Sequence, residues 1–240
     1  MLEPVDFVIP LSTGSRSNDD ELRLLLRSLE LNGMRYRNVI VVATRPPKWL
    51  RNVRIIQMDD PLKHNKDGNI IRKVLTAAAL PDITHEFVWS SDDCVMLKPF
   101  DCANLPPIHN SRGKDRFPEN GTIWQRRVRR TFEFFERRGV ILDCNFESHT
   151  PHRYPARKLL RVMRDVDYSS DIGYSINTLF CGLLGITKGF DQSLFKDTNE
   201  NIGDAKTEKV LCQYNDEAFT TGLRERLFRL FPKPSRYEKE

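Results

Sequence analysis

The chain reads as an α/β protein with a mixed, mostly parallel sheet flanked by helices. Three observations predict this. Short runs rich in Val, Ile and Phe alternate with amphipathic stretches over roughly the first hundred residues. Residues 38–44 (Asn-Val-Ile-Val-Val-Ala-Thr) are nearly all apolar, as strands covered on both faces are. The apolar run Phe87-Val88-Trp89-Ser90 leads straight into Ser91-Asp92-Asp93, which puts two carboxylates at the end of a strand, where open α/β sheets bind ligands.

Taken in order, residues 6–11 form a short apolar strand and residues 11–18 a Ser/Thr/Gly loop. Asn18 or Asp19 caps a helix running to about Leu31, with Leu22, Leu25, Leu26 and Leu29 on one face. The strand at 38–44 is closed by Pro46-Pro47, and residues 52–57 form another short strand. Residues 69–80 form a helix stopped by Pro81, followed by the strand at 87–90. This strand-helix-strand-strand-helix-strand order calls for a mostly parallel sheet, with the loops after Leu11, Thr44 and Ser91 meeting at one edge. The second half is less regular. Residues 97–120, rich in Pro, Asn and Gly, read as a long surface loop, and residues 122–139 as an arginine-rich helix. A helix follows at about 155–166, then an apolar stretch at 176–186 and a polar loop at 188–207. A short strand or turn at 210–217 and a last helix at 219–231 complete the chain. The expected organisation is one domain over 1–240, with the loop and the Arg-rich helix inserted at about 101–140.

Composition narrows the function classes. Hydrophobic content of 39% and charged content of 30% fit a globular fold and argue against disorder. No apolar stretch reaches membrane-span length, and the first residues lack the basic and apolar regions of a signal peptide. The five cysteines, Cys94, Cys102, Cys144, Cys181 and Cys212, are odd in number, and their spacing suits neither a zinc knuckle nor a disulfide framework. A reducing cytoplasm is the expected compartment. The net charge of +5 favours anionic partners. Arg126, Arg127, Arg129, Arg130, Arg137 and Arg138 crowd one segment together with Trp124, Val128, Phe132, Phe134 and Phe135. Such a helix can meet an anionic surface, an acidic acceptor or nucleic acid; it can equally be a solvated face over an aromatic core stripe.

Several short motifs follow one another in a telling order. They are residues 5–8 with Gly14, residues 19–29 (Asp-Asp-Glu-Leu-Arg-Leu-Leu-Leu-Arg-Ser-Leu), residues 39–44 with Pro47-Lys48-Trp49-Leu50, and residues 87–97. Ser148-His149-Thr150-Pro151, Asn215-Asp216-Glu217 and the terminal Phe231-Pro232-Lys233-Pro234-Ser235-Arg236-Tyr237-Glu238 come later. In this order the chain resembles the Stealth family of sugar-phosphate transferases, which includes bacterial capsule polymerases and the animal GlcNAc-1-phosphotransferase. The resemblance implies a core similar to the GT-A glycosyltransferase fold, a nucleotide-sugar donor of UDP or CMP type, a glycan or other hydroxyl acceptor, and Mg²⁺ or Mn²⁺. It makes Asp92 and Asp93 the family's acidic pair, holding metal and donor. It places His149 near the transferred group, and Asn215 and Asp216 near the metal or donor. Gly14 belongs to the opening motif and, with Arg27 on the first helix, is expected to help order the donor site, although a surface ion pair accounts for Arg27 equally well. Two departures bear on the reaction. The opening segment lacks the family's Tyr and Trp, and Cys181 stands where the family tends to place an Arg. An Arg there would clamp phosphate oxygens, so transfer of a sugar and transfer of a sugar 1-phosphate both stay open.

The residues themselves suit this chemistry. Adjacent carboxylates resist burial and call for a cation or a solvated turn. Lys63, His64, Asn65 and Lys66 precede the helix at Asn69, and a helix start flanked by cations is a natural anion site, although the same loop also suits ordinary surface polarity. His149 can take the acceptor's proton or bind phosphate. His85, His109 and His152 are expected to be structural. Two alternatives remain: a metal-dependent phosphoesterase or nuclease that adds Asp59-Asp60 to the acidic pair, and a nucleic-acid module that uses the Arg-rich helix.

Overall fold

The computed structural model describes residues 2–13, 15, 17–112, 117–198, 209–215 and 218–239. The elements that position the site are β1 (Val5–Leu11), α1 (Asp20–Asn32), β2 (Tyr36–Ala43), β3 (Arg54–Gln57), α2 (Lys66–Ala78), β4 (Glu86–Trp89) and β5 (Cys94–Met96). After these come α3 (Ile123–Glu136), β6 (His152–Pro155), α4 (Ala156–Met163), α5 (Ile176–Leu183), β7 (Lys196–Thr198), β8 (Leu211–Gln213) and α6 (Arg224–Leu230). The fold is the expected mixed α/β class. Its main sheet runs β6-β4-β1-β2-β3, parallel throughout except for β6, which is antiparallel to β4 at the edge.

Pleating divides the core into two layers. Alternate residues of β1 point to opposite faces. Phe7 and Ile9 pack with Leu22, Leu25, Leu26 and Leu29 of α1, the face expected from the sequence. Val8 packs on the other side with Ile71, Val74 and Ala77 of α2, and this layer continues into Val128, Phe132 and Phe135 of α3 and Leu179 and Phe180 of α5. The aromatic stripe of the Arg-rich helix is therefore core. A Thr122–Gln125 capping box fixes its start.

Residues 97–112 also depart from the expected surface loop. Cys102, Ala103, Leu105 and Ile108 are buried. Phe100–Asp101 pairs with Gly33–Met34, Ile108–His109 with Phe190–Asp191, and Ser111–Arg112 with Cys144–Asn145. Pro and Asn in this stretch mark turns between short pairings rather than a free loop. Helix α2 begins three residues earlier than expected because Asn65 caps it, its Oδ1 accepting from Gly68 N at 2.8 Å. The last helix opens with a π-helical turn at Phe219–Leu223 before α6. Lys196–Thr198 lies inside the expected 188–207 loop as a strand parallel to β8; residues 199–207 of that loop lie outside the described residues.

The chain passes from β1 to β2 on one side and returns through α2 to β4 on the other. The order therefore reverses between β1 and β4, and a crevice opens beyond their carboxyl ends. No helix among the described residues is long and apolar enough to cross a membrane.

Candidate functional site

A cleft of about 510 Å³ occupies that switch point. Ser12, Thr13 and Ser15 enter it from the end of β1, and Ser91, Asp92 and Asp93 from the end of β4. Lys63, Lys66 and Asp67 enter from the start of α2, and Glu147 and His149 from the segment before β6. Of the three loops expected to meet here, those after Leu11 and Ser91 do. The third place is taken by the loop after β3, with Asp60 and Leu62, and Thr44 acts behind it by donating to Asp60 at 2.9 Å.

The acidic pair is electrostatically uneven. Burial, then the neighbouring charges of Asp93 and Glu21, push the Asp92 carboxyl up to about 7. Burial would raise Asp93 as well, but His149 and the Ser91 hydroxyl hold it below the usual carboxylate range. His149 Nδ1 lies 3.7 Å from Asp93 Oδ2. Burial pulls this imidazole down, yet Asp93 and then Glu147 carry it above the ordinary histidine value. Each group thus favours the charged form of the other, and the His149 ring, 45% exposed, faces the open cleft.

The His149 segment is held under strain. His149 has φ 51°, a left-handed conformation uncommon outside glycine. Its flanks are fixed on several sides. Asn110 Nδ2 donates to the Glu147 carbonyl at 3.0 Å, and the buried Lys196 ammonium donates to the Ser148 carbonyl. Ser148 Oγ lies 2.6 Å from Thr150 Oγ1 and 3.1 Å from His152 Nε2. His152 is structural, as expected; burial, then the nearby charges of His149 and Lys196, push it down to about 3.

The remaining expected site residues divide. Lys66 lines the cleft. Asn69 lines it too, but both ends of its amide bond the backbone of Leu62, at 3.1 and 3.0 Å, so it shapes the loop instead of presenting a free group. Arg27 is not in the cleft. Its Nε and Nη2 grip Glu238 at 2.8 Å each, and its Nη1 donates to the Phe231 carbonyl, tying the C-terminus to α1. Asn215 follows Tyr214, whose N–H donates to the Asp93 carbonyl, but the Asn215 Oδ1 accepts from Ala218 N and caps the last helix. Gly14 and Asp216 lie outside the described residues. Asn65 already satisfies the Gly68 N–H at the start of α2, so the cationic character of that corner comes mainly from Lys63 and Lys66. Cys181 faces the core beside Tyr154, with its Sγ 3.6 Å from the phenol oxygen, so this position does not look onto the cleft.

Several cleft residues carried no role from sequence. Glu21, in the first turn of α1, accepts from Ser15 Oγ at 2.9 Å. Lys73 is 1% exposed and fastens three strand ends together, through Asp60 at 2.6 Å, the Leu11 carbonyl at 2.8 Å and Thr44 at 3.1 Å. A lysine at helical spacing from Ile70 and Ala77 was the visible sign. Arg127 turns inward from the Arg-rich helix and pairs with Asp67 at 3.0 Å. Arg129 meets Glu119 and Glu133, Arg130 bonds Ser170 and lies over Tyr174, and Arg138 covers Phe134. Much of the arginine face is thus committed within the molecule.

A divalent cation can be tested against this donor set. Among the described residues no group of three or more His, Cys, Asp or Glu side chains is gathered to hold a metal ion. Mg²⁺ commonly binds through one or two carboxylates plus substrate phosphate oxygens, and Asp92, with its disfavoured negative charge beside Asp93, suits that mode.

Compared with known proteins, the chain matches no family model and no curated sequence.

Proposed function

We propose that the protein is a nucleotide-sugar-dependent transferase that moves a sugar, or its 1-phosphate, onto a hydroxyl of a glycan or related acceptor. The observation that carries this reading is the cleft at the β1/β4 switch point. There the Asp92–Asp93 turn and the Asp93-paired His149 share one cavity with Lys63 and Lys66. The ordered motifs that resemble the Stealth family support it, as does the α/β architecture.

Each group has a task on this reading. Lys63 and Lys66 attract the phosphates of the donor. In its neutral form His149, with Nδ1 turned toward Asp93 at 3.7 Å, has Nε2 free to accept the proton of the acceptor hydroxyl, and Asp93 then stabilises the imidazolium. A divalent cation held by Asp92 and Asp93 would supply charge stabilisation to the departing nucleotide. A two-metal phosphoesterase is less well supported, because Asp60 is already paired with the buried Lys73.

The test is calorimetric titration of UDP, GDP and CMP with and without Mn²⁺. Metal-dependent binding of one nucleotide, lost in Asp92→Asn, is the expected result. Binding of none of them, or binding indifferent to both the metal and Asp92, overturns the proposal.

A further inference from the structure

One wall of the cleft, which begins at Asp67 next to Lys66, carries carboxylates and an amide in place of cations. Asn177, at the start of α5, is 2% exposed yet lines the cavity. Its Oδ1 accepts from Trp89 Nε1 and from Tyr154 OH, both at 3.0 Å. An indole N–H can only donate, so the amide orientation is fixed by chemistry and Nδ2 is the group left over. No described residue accepts from that Nδ2, and it is not among the fully buried polar atoms that lack a partner, so this donor reaches the open space of the cleft. Beside it, Glu147 Oε1 accepts from Asn177 N at 2.5 Å and so fixes the Glu147 carboxylate at the α5 N-terminus. Burial and then Asp67 push the Glu147 carboxyl up, and Asp67 is itself held by Arg127. Trp124 completes the wall, its ring set edge-on against Phe117 at 5.4 Å and 76°.

We propose that this wall, formed by Asn177 Nδ2, Glu147, Asp67 and Trp124, is a carbohydrate subsite that takes the hydroxylated ring of the transferred sugar. A sugar hydroxyl both donates and accepts. The carboxylates of Glu147 and Asp67 accept from ring hydroxyls, and Asn177 Nδ2 donates to a hydroxyl or acyl oxygen. The Trp124 face suits the apolar C–H side of a pyranose. A phosphate is better matched to Lys63 and Lys66, since the carboxylates of Glu147 and Asp67 offer acceptors and no donors. The identity of this ring as the transferred group rests on the transferase reading; recognition of a sugar here does not.

The experiment is saturation-transfer NMR with a panel of free monosaccharides, run on the wild type, Trp124→Leu and Asn177→Asp. The Asp replacement keeps an acceptor for Trp89 and Tyr154 while removing the Nδ2 donor, and Trp124 is only partly buried, so each variant checks the other against misfolding. The expected result is transfer to the ring C–H protons of at least one sugar, weakened roughly 10-fold or more in both variants. No transfer from any sugar, or transfer unchanged in both variants, overturns the proposal. Nucleotide calorimetry on the same samples separates the two readings. Sugar binding without nucleotide binding would sink the transferase and leave the subsite. Nucleotide binding that gains nothing from an attached sugar, with no free sugar bound, would sink the subsite alone.

Discussion

Replacing Asp92 by Asn removes a charge that the folded protein disfavours. The carboxyl is pushed from 3.8 up to about 7, by burial first and then by Asp93 and Glu21. A raised carboxyl pKa means that the folded state binds this proton more tightly than the unfolded chain. Stability is then lost as pH rises from the unfolded value through about 7. The rise from 3.8 to about 7 corresponds to a ceiling of about 4 kcal/mol. Asp92 is partly exposed in the cleft, and solvent screening reduces the expected gain from Asp92→Asn to about 1–2 kcal/mol. For a chain of this size that is a rise in Tm of roughly 2–8 °C at about pH 8.5, vanishing near pH 4. Differential scanning calorimetry across this range reads it directly. On the wild type, Mn²⁺ should raise Tm most at alkaline pH, where Asp92 is ionised, and should do little for the variant. A Tm gain that is absent, or equal at both ends of the pH range, would refute the claim that Asp92 is held at an electrostatic cost.

Two further outcomes are expected. Glu238 is 2% exposed; burial alone would raise its pKa, but Arg27, the Ser235 N–H and Arg23 hold it down at about 2. Its contribution of about 3 kcal/mol should be complete above pH 4.5 and fade as pH falls toward 2, so Glu238→Gln should lower stability in urea titrations at neutral pH and differ less from the wild type in acid. Lys196→Met keeps the apolar stem but removes the donor to the Ser148 carbonyl and a cation that depresses His149. The NMR titration of His149 should shift to higher pH and turnover should fall roughly 10-fold, with nucleotide affinity unchanged; an unmoved His149 titration would remove Lys196 from any role in positioning that imidazole.

The lessons from sequence differ by region. Where a segment's own pattern decides its fate, sequence and structure agree. The Leu22–Leu29 face docks on β1, residues 39–43 form a buried interior strand beside β1, and the acidic turn follows the strand ending at Trp89. Residues 97–112 were misread because Pro and Asn report turns, while the partners that bury the intervening residues lie far away in sequence, at 33–34, 144–145 and 190–191. Of the two readings of Arg27, the ion pair is the one the structure has. Its motif and the terminal Tyr237-Glu238 are one structural unit, a carboxylate gripped by two arginines about two hundred residues upstream, which no local spacing reveals.

The sequence alone determined the α/β class and the strand-end carboxylates, because hydrophobic periodicity and adjacent charges are local properties; His149 stood out only through the family resemblance. Tertiary structure alone decided which charges face the cleft. Lys73, Asp67, Glu147 and Asn177 read as ordinary polar positions on helices or loops, and they enter the site only because α2, α5 and the segment before β6 converge where the sheet order reverses. That convergence sets burial, and burial gives Asp92 its raised pKa and leaves the Asn177 amide donor facing the cleft without a partner.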